Sequence, residues 1–290
     1  MKLLPIAAAA LMLLPFQAAV ADLPIAVVAA QNFYGEVAAA IGGDRVAVDS
    51  VRLSPGADPH DFEPPPSVAR AVADAAIVVF NGAGYDHWME HLLESTKRPE
   101  RTVIEAAGLA GIAEGENPHV WYDPRTMPAV AEALATTLSA LDPEGADLYR
   151  ERKKTYVATL APMTAKVAAI RQRFAGMPVT ATEPVFGYMA DALGLEMTNT
   201  EFQTAIMNET EPSAREIAGL ADDLKNHRVK VLIYNTQVSD AMTAQLLAVA
   251  NEANVPIVGV TETVTGGMNY AEWMLGQLES LEKALAGPSS

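Results

Sequence analysis

The sequence predicts a two-lobed α/β protein, each lobe a parallel sheet flanked by helices, with one long rigid helix joining the lobes. Three observations lead there. Short apolar runs of strand length alternate with amphipathic stretches, the rhythm of parallel sheets covered on both faces. That rhythm stops over residues 143–176, where "PEGADLYRERKKTYVATLAPMTAKVAAIRQRFAG" is helical throughout, with clustered basic residues and no strand. It then resumes and continues to the C-terminus.

Residues 1–21 stand outside the pattern. Lys2 precedes the apolar "LLPIAAAALMLLPF", and Ala19-Val20-Ala21 forms a small-x-small site, together the marks of a cleaved signal peptide. Pro5, Pro15 and Gln17 interrupt the run and no basic stop-transfer cluster follows it, which favours cleavage over a membrane anchor.

The N-terminal lobe is expected over 22–142. Its strands are "LPIAVVAA", "RVAVDSVRL", "AIVVF" and "RTVIEA". Its helices are "QNFYGEVAAAIGG", "PPSVARAVADA", "YDHWMEHLLEST" and one beginning near Pro124. The linking helix of 143–176 contains Pro162, which removes an i→i−4 bond and is positioned to kink it. A helix of ~25 residues spans about 37 Å, enough to act as a strut. The C-terminal lobe, 177–290, has strands "PVTAT", "EMTNT", "VKVLIYN" and "VPIVGVT". Helices "FGYMADALG", "EPSAREIAGLADDLKNH", "SDAMTAQLLAVANEAN" and "NYAEWMLGQLESLEKALAG" alternate with them.

The formal charge of −16 argues against a nucleic-acid or anionic-membrane surface, both of which need basic patches. Cleavage after Ala21 would remove only Lys2 among the charges and leave −17. With no cysteine, the fold must rest on burial without disulfides, and no cysteine is present to carry a lipid anchor. A freely diffusing periplasmic protein is the expectation.

Ligands of open α/β sheets bind outside the carboxyl ends of the strands. Four side chains able to coordinate fall there or in a neighbouring loop. His60, in "SPGADPHDFEPPPS", follows the second strand. His119, in "ENPHVWYDP", precedes the helix near Pro124. Glu183 follows "PVTAT" directly and Glu262 follows "VPIVGVT" directly. Two come from each lobe and would face one interlobe cleft. Two imidazoles and two carboxylates carry a charge of −2, which a divalent cation neutralises, and borderline metals accept this N/O set. Each residue also has a plainer reading. His60 suits a solvated loop, Glu183 a helix N-cap, and Glu262 an exposed turn. His87 and His91 share a helix face but lack a third partner, so surface or packing roles suit them better. His227 suits a helix C-terminus. Trp88 and Met89 read as core.

The combined pattern resembles the periplasmic zinc- and manganese-binding solute receptors of ABC transporters, a family with a long backbone helix. The matching pieces are "GADPHDFEPPPS", "FNGAGYDHWMEHLL", "NPHVWYDP", "TEPVFGYMADALGLEM" and "VPIVGVTET", in order along the mature chain. The resemblance implies that His60 and His119 are ligands from the first lobe. It puts Glu183 at the third position, where zinc receptors usually carry His and manganese receptors Glu. Glu262 stands where the family usually has Asp. The His-rich loop of many zinc receptors is here only "AGIAEGEN".

The function these readings imply is capture of one divalent metal ion, Mn2+, Zn2+ or Fe2+, as cargo for a membrane permease, by a monomer and without catalysis. Two glutamates tilt the choice toward Mn2+ or Fe2+, because a carboxylate can bind through one or both oxygens. The opposing classes are a metal-dependent hydrolase, for which no HExxH motif or spare general base is visible, and a metal-binding adhesin. A single linking helix should limit lobe motion, so metal release is expected through small shifts near Glu183 and Glu262.

Overall fold

The computed structural model describes residues 24–51, 62–238, 241–264 and 266–287. The signal-peptide expectation and the loop carrying His60 lie outside the described residues.

The first lobe holds strands β1 (Ile25–Ala29), β2 (Val46–Ser50), β3 (Ile77–Phe80) and β4 (Thr102–Glu105). Its helices are α1 (Asn32–Gly42), α2 (Pro66–Asp74), α3 (His87–Ser95), α4 (Ala106–Ala110) and α5 (Thr126–Leu141). Two helices follow, α6 (Ala146–Thr159) and α7 (Ala161–Phe174). The second lobe holds β5 (Pro178–Ala181), β6 (Glu196–Thr198), β7 (Leu232–Asn235) and β8 (Ile257–Val260). Its helices are α8 (Gly187–Leu193), α9 (Thr200–Met207), α10 (Ala214–Lys225), α11 (Ala241–Glu252) and α12 (Tyr270–Ala286).

Both sheets are parallel and share one order, β2-β1-β3-β4 and β6-β5-β7-β8. The fold class read from the sequence is therefore the observed one. In each sheet the order reverses between the first and third strands of the lobe, and that switch point is where ligands of such sheets bind. The central strands β1 and β3 are the apolar "IAVVA" and "IVVF", as strands covered on both faces must be.

The connection differs from a single helix. α6 and α7 are separated at Leu160, because Pro162 has no N–H to give to the carbonyl of Ala158. Leu160 keeps helical angles and its N–H turns to Val157 O, a tighter i→i+3 bond, so the chain jogs without unravelling. On either side of the break the helices belong to different lobes. α6 packs on α1 and α5, whereas α7 packs on α8 and α12, where Lys166 and Arg173 pair with Glu282.

One apolar core runs across the lobe boundary. Phe33 on α1 lies 5.4 Å from Trp121 and 5.8 Å from Trp273 on α12, centroid to centroid. Tyr122 meets Phe186 at 5.4 Å and Trp273 at 5.9 Å. Hydrogen bonds cross the same boundary, from Tyr122 Oη to Thr261 O (2.6 Å) and from Tyr270 Oη to Trp121 O (2.6 Å). Exposing one such side chain fully costs about 1.5–3 kcal/mol, so separating the lobes would use up much of the 5–15 kcal/mol that holds a typical protein folded.

Candidate metal centre

The second sheet places its site residues by register. Ala181 pairs with Ile233, and Asn235 pairs with Val260. Glu183, two residues past Ala181, is therefore level with Asn235 at the end of β7, and Glu262 lies two residues past Val260. All three side chains leave the carboxyl edge of the sheet at its switch point, and all are buried.

Glu183 does occupy a helix N-cap position, ahead of the short 3-10 turn Pro184–Phe186, but its side chain makes no capping bond there. Asn235 Nδ2 donates instead to Glu183 Oε2 (3.0 Å) and to Glu262 Oε1 (2.6 Å). The orientation of this amide is fixed by its other end, since Asn235 Oδ1 accepts the Gln237 N–H at 3.0 Å. Gln237 Oε1 in turn accepts the backbone N–H of Glu262 (2.7 Å) and of Thr263 (3.0 Å), so Glu262 is held by backbone and side chain together. Glu262 is wholly buried, which overturns the exposed-turn reading.

His119 reaches the same place from the first lobe. Its loop is seated by Asn81, at the end of β3, whose Nδ2 donates to Pro118 O (2.7 Å) while its Oδ1 accepts the Tyr34 hydroxyl (2.8 Å). The turn after β3 is built around Asp86, whose carboxylate accepts N–H bonds from Asn81 and Gly82 and an amide bond from Gln31. Burial pushes the Asp86 carboxyl up to about 6, and those three donors pull in the opposite direction. Gly82 has a φ of +79°, and a Cβ there would come 2.3 Å from Glu105 Oε1, so the turn requires glycine.

Asn117 settles the His119 tautomer. Asn117 Nδ2 donates to Pro184 O across the cleft (2.8 Å), leaving its Oδ1 as the acceptor 2.6 Å from His119 Nδ1. That oxygen can only accept, so Nδ1 carries a hydrogen and Nε2 is the ring nitrogen that faces the cleft. Nε2 lies 3.5 Å from Glu262 Oε2. Two donors each 2.0–2.1 Å from one ion at the tetrahedral angle would be about 3.3–3.4 Å apart, so this spacing suits a shared metal. Tyr85 adjoins the site. Its ring lies 6.0 Å from that of His119, and its phenol is pushed well above the usual tyrosine range by burial, then by the charge of Glu262 and a hydrogen bond to it. It stays a neutral donor.

His119 and Glu262 thus meet across the cleft, and Asn235 joins Glu262 to Glu183. Among the described residues, no three His, Asp or Glu side chains stand close enough to hold a metal by themselves. The fourth expected donor, His60, lies in the segment 52–61, outside the described residues; Phe62, just after it, packs edge-on against Trp88 at 5.0 Å. His87 is exposed and pairs with Glu90 at 3.2 Å, and His91 is exposed too. His227 is exposed just beyond α10, where its backbone N–H rather than its ring closes the helix on Leu224 O. Met89 is buried core, while Trp88 is half-buried at its edge. Asn117, Tyr85, Asn235 and Gln237 were missed in the sequence reading. For Asn235 a signal existed, because it ends a strand on the binding edge.

A two-lobed binding protein with a buried imidazole–carboxylate centre between its sheets is the class that fold and site define. The chain belongs to the family described as zinc-uptake complex component A, periplasmic, whose profile matches residues 27–284. The zinc-binding protein AdcA of Streptococcus pyogenes is 26% identical over 266 residues, covering 80% of this chain and 50% of AdcA. The chain therefore spans about half the length of that relative. The manganese ABC transporter substrate-binding lipoprotein PsaA of Streptococcus mitis is 25% identical over 285 residues, covering 90% of this chain and 89% of PsaA. Among solved structures, the Mn2+ complex of the solute-binding protein FpvC from Pseudomonas aeruginosa has the same fold. It aligns with a TM-score of 0.75 at 22% identity, covering 91% of this chain and 98% of FpvC.

Proposed function

We propose that this protein is a periplasmic receptor that captures one divalent transition metal ion between its lobes and delivers it to an ABC-transporter permease. The ion, Zn2+, Mn2+ or Fe2+, is cargo. His119, Glu183 and Glu262 supply three donors and His60 the fourth. The observation that carries this reading is the Asn117–His119–Glu262 arrangement, in which an amide oxygen holds Nδ1 and leaves Nε2 facing a buried carboxylate at metal-sharing distance. The relatives named for zinc and manganese support the cargo class, and those named as parts of ABC transporters support the permease partner. Several relatives are named lipoproteins, which runs against the freely diffusing form expected from the absence of cysteine. The proposed form is a monomer that binds without catalysing. Four protein ligands around one ion suit holding it, whereas a catalytic centre keeps a position open for water.

Metal analysis of protein isolated from the periplasm of its own host tests this. The expected result is close to one equivalent of Mn2+, Zn2+ or Fe2+ per chain, lost on chelation and regained on adding metal. Protein that carries no metal and takes none up would contradict it.

A further inference from the structure

Asn117, half-buried where the lobes meet, is held from both of them. Within the first lobe its Oδ1 accepts the backbone N–H of His119 (3.2 Å) as well as the ring Nδ1. Two further bonds tie it to the second lobe. Its Nδ2 donates to Pro184 O, and its own carbonyl accepts the Tyr188 hydroxyl on α8 at 2.6 Å. Pro184 follows Glu183 directly, so the two bonds join the neighbours of one proposed ligand from each lobe. The approach is close, since a Cβ at Gly187 would come 3.0 Å from Asn117 Nδ2. Burial pushes the Tyr188 phenol up to about 12, helped by the charges of Glu116, Asp123 and Asp191, so it stays a neutral donor.

Exposure separates these bonds from others that cross the boundary. Tyr122 and Tyr270, which bond Thr261 and Trp121, are fully buried in the shared core. Asn117, Pro184, Gly187 and Tyr188 are only half-buried, whereas His119 and Glu183 are buried. A half-exposed bond can be exchanged for water at small net cost, but a buried one leaves polar groups unpaired when it breaks. The boundary therefore opens most readily at Asn117.

We infer that Tyr188 is a positioning residue that gates the metal centre: through Asn117 it latches the His119 loop to the Glu183 turn, and the ion passes when this latch opens. The inference rests on His119 and Glu183 being ligands. None of the atoms in the two latch bonds is a proposed metal donor, so the latch is compatible with a held ion and with an empty cleft alike. Weakening it lowers the barrier to opening in both directions, and the affinity, set by the donors, stays nearly the same.

The test follows Zn2+ capture and release by stopped flow on the full chain, with Tyr188→Phe, which keeps the ring and loses only the hydroxyl, and His119→Ala beside the wild type. Release is read by trapping freed Zn2+ in excess chromogenic chelator. Capture is read by tryptophan fluorescence, Trp121 standing 5.3 Å from the His119 ring. Loss of one such hydrogen bond is expected to raise both rate constants by about three- to tenfold and to leave Kd within about twofold of wild type. If Tyr188→Phe does not fold, Gly187→Ala, whose Cβ presses on Asn117 Nδ2, decides on the same criteria. A gain in release below about threefold would overturn the inference. Faster release without a matching gain in capture would overturn it too, because Kd would then weaken in step and Tyr188 would only support the geometry of the site. If His119→Ala binds Zn2+ like the wild type, the metal-site reading itself is wrong; if it loses binding while Tyr188→Phe releases at the wild-type rate, only the role of Tyr188 falls.

Discussion

At the scale of single residues, amide side chains do as much to define the site as the proposed ligands. Asn117 decides which nitrogen of His119 carries the hydrogen, and it does so with an oxygen that can only accept. Partners of this kind typically change metal affinity 10–100-fold when removed. Asn117→Ala should therefore weaken binding by about that factor, whereas Asn117→Asp, which keeps an oxygen for Nδ1, should lose much less. Isothermal titration of both variants checks this, and equal losses would show that the cross-cleft bond to Pro184 O matters more than the tautomer. The proposed ligands His119, Glu183 and Glu262 were legible in the sequence because each sits next to a strand end or a helix start, and such positions can be counted. Asn117, Asn235 and Tyr85 were not, because their roles come from bonds between segments far apart in the chain. Asn117 meets Pro184 only where the two lobes face each other, and Asn235 meets Glu183 only because β5 and β7 pair within the second sheet.

Elements show the same division. All eight strands were readable, since a buried parallel strand is a short apolar run and little else in a soluble chain is. α9 escaped notice. It starts at Thr200 directly after the three-residue edge strand β6, with only Asn199, at a φ of +57°, turning the chain between them. The linker was legible as helical and as vulnerable at Pro162, but not as two helices assigned to different lobes. Its start is tied down by Asp142, at the end of α5. Asp142 accepts a forked pair of bonds from the Arg45 guanidinium (2.5 and 2.8 Å) and one from the Tyr149 hydroxyl on α6 (2.5 Å). These bonds, led by Arg45 and then Tyr149, hold its carboxyl well below the usual range. A depressed carboxylate pKa contributes stability above the unfolded value, about 3.9 for Asp, and the contribution disappears as pH falls through the lower folded value. Asp142→Asn should accordingly melt below the wild type at pH 7, with the gap closing as pH drops below about 4. A gap independent of pH would mean that packing rather than ionisation is at stake.

For the whole molecule, the continuous aromatic core and the hydrogen bonds across the boundary hold the two lobes together on either side of the proposed metal centre. On the proposed function, a locked boundary leaves metal entry and release to local shifts near Glu183 and Glu262 rather than to wide lobe motion. The central claim is that this locked interlobe centre, and no other histidine-bearing surface, holds the metal. Titration of Zn2+ and Mn2+ into the wild type, His60→Ala, His119→Ala and His87→Ala tests it most directly. The account predicts that His60→Ala and His119→Ala each weaken both metals by at least about a hundredfold, ~2.7 kcal/mol, while His87→Ala binds like the wild type. Loss of binding in His87→Ala with His119→Ala unaffected would contradict it.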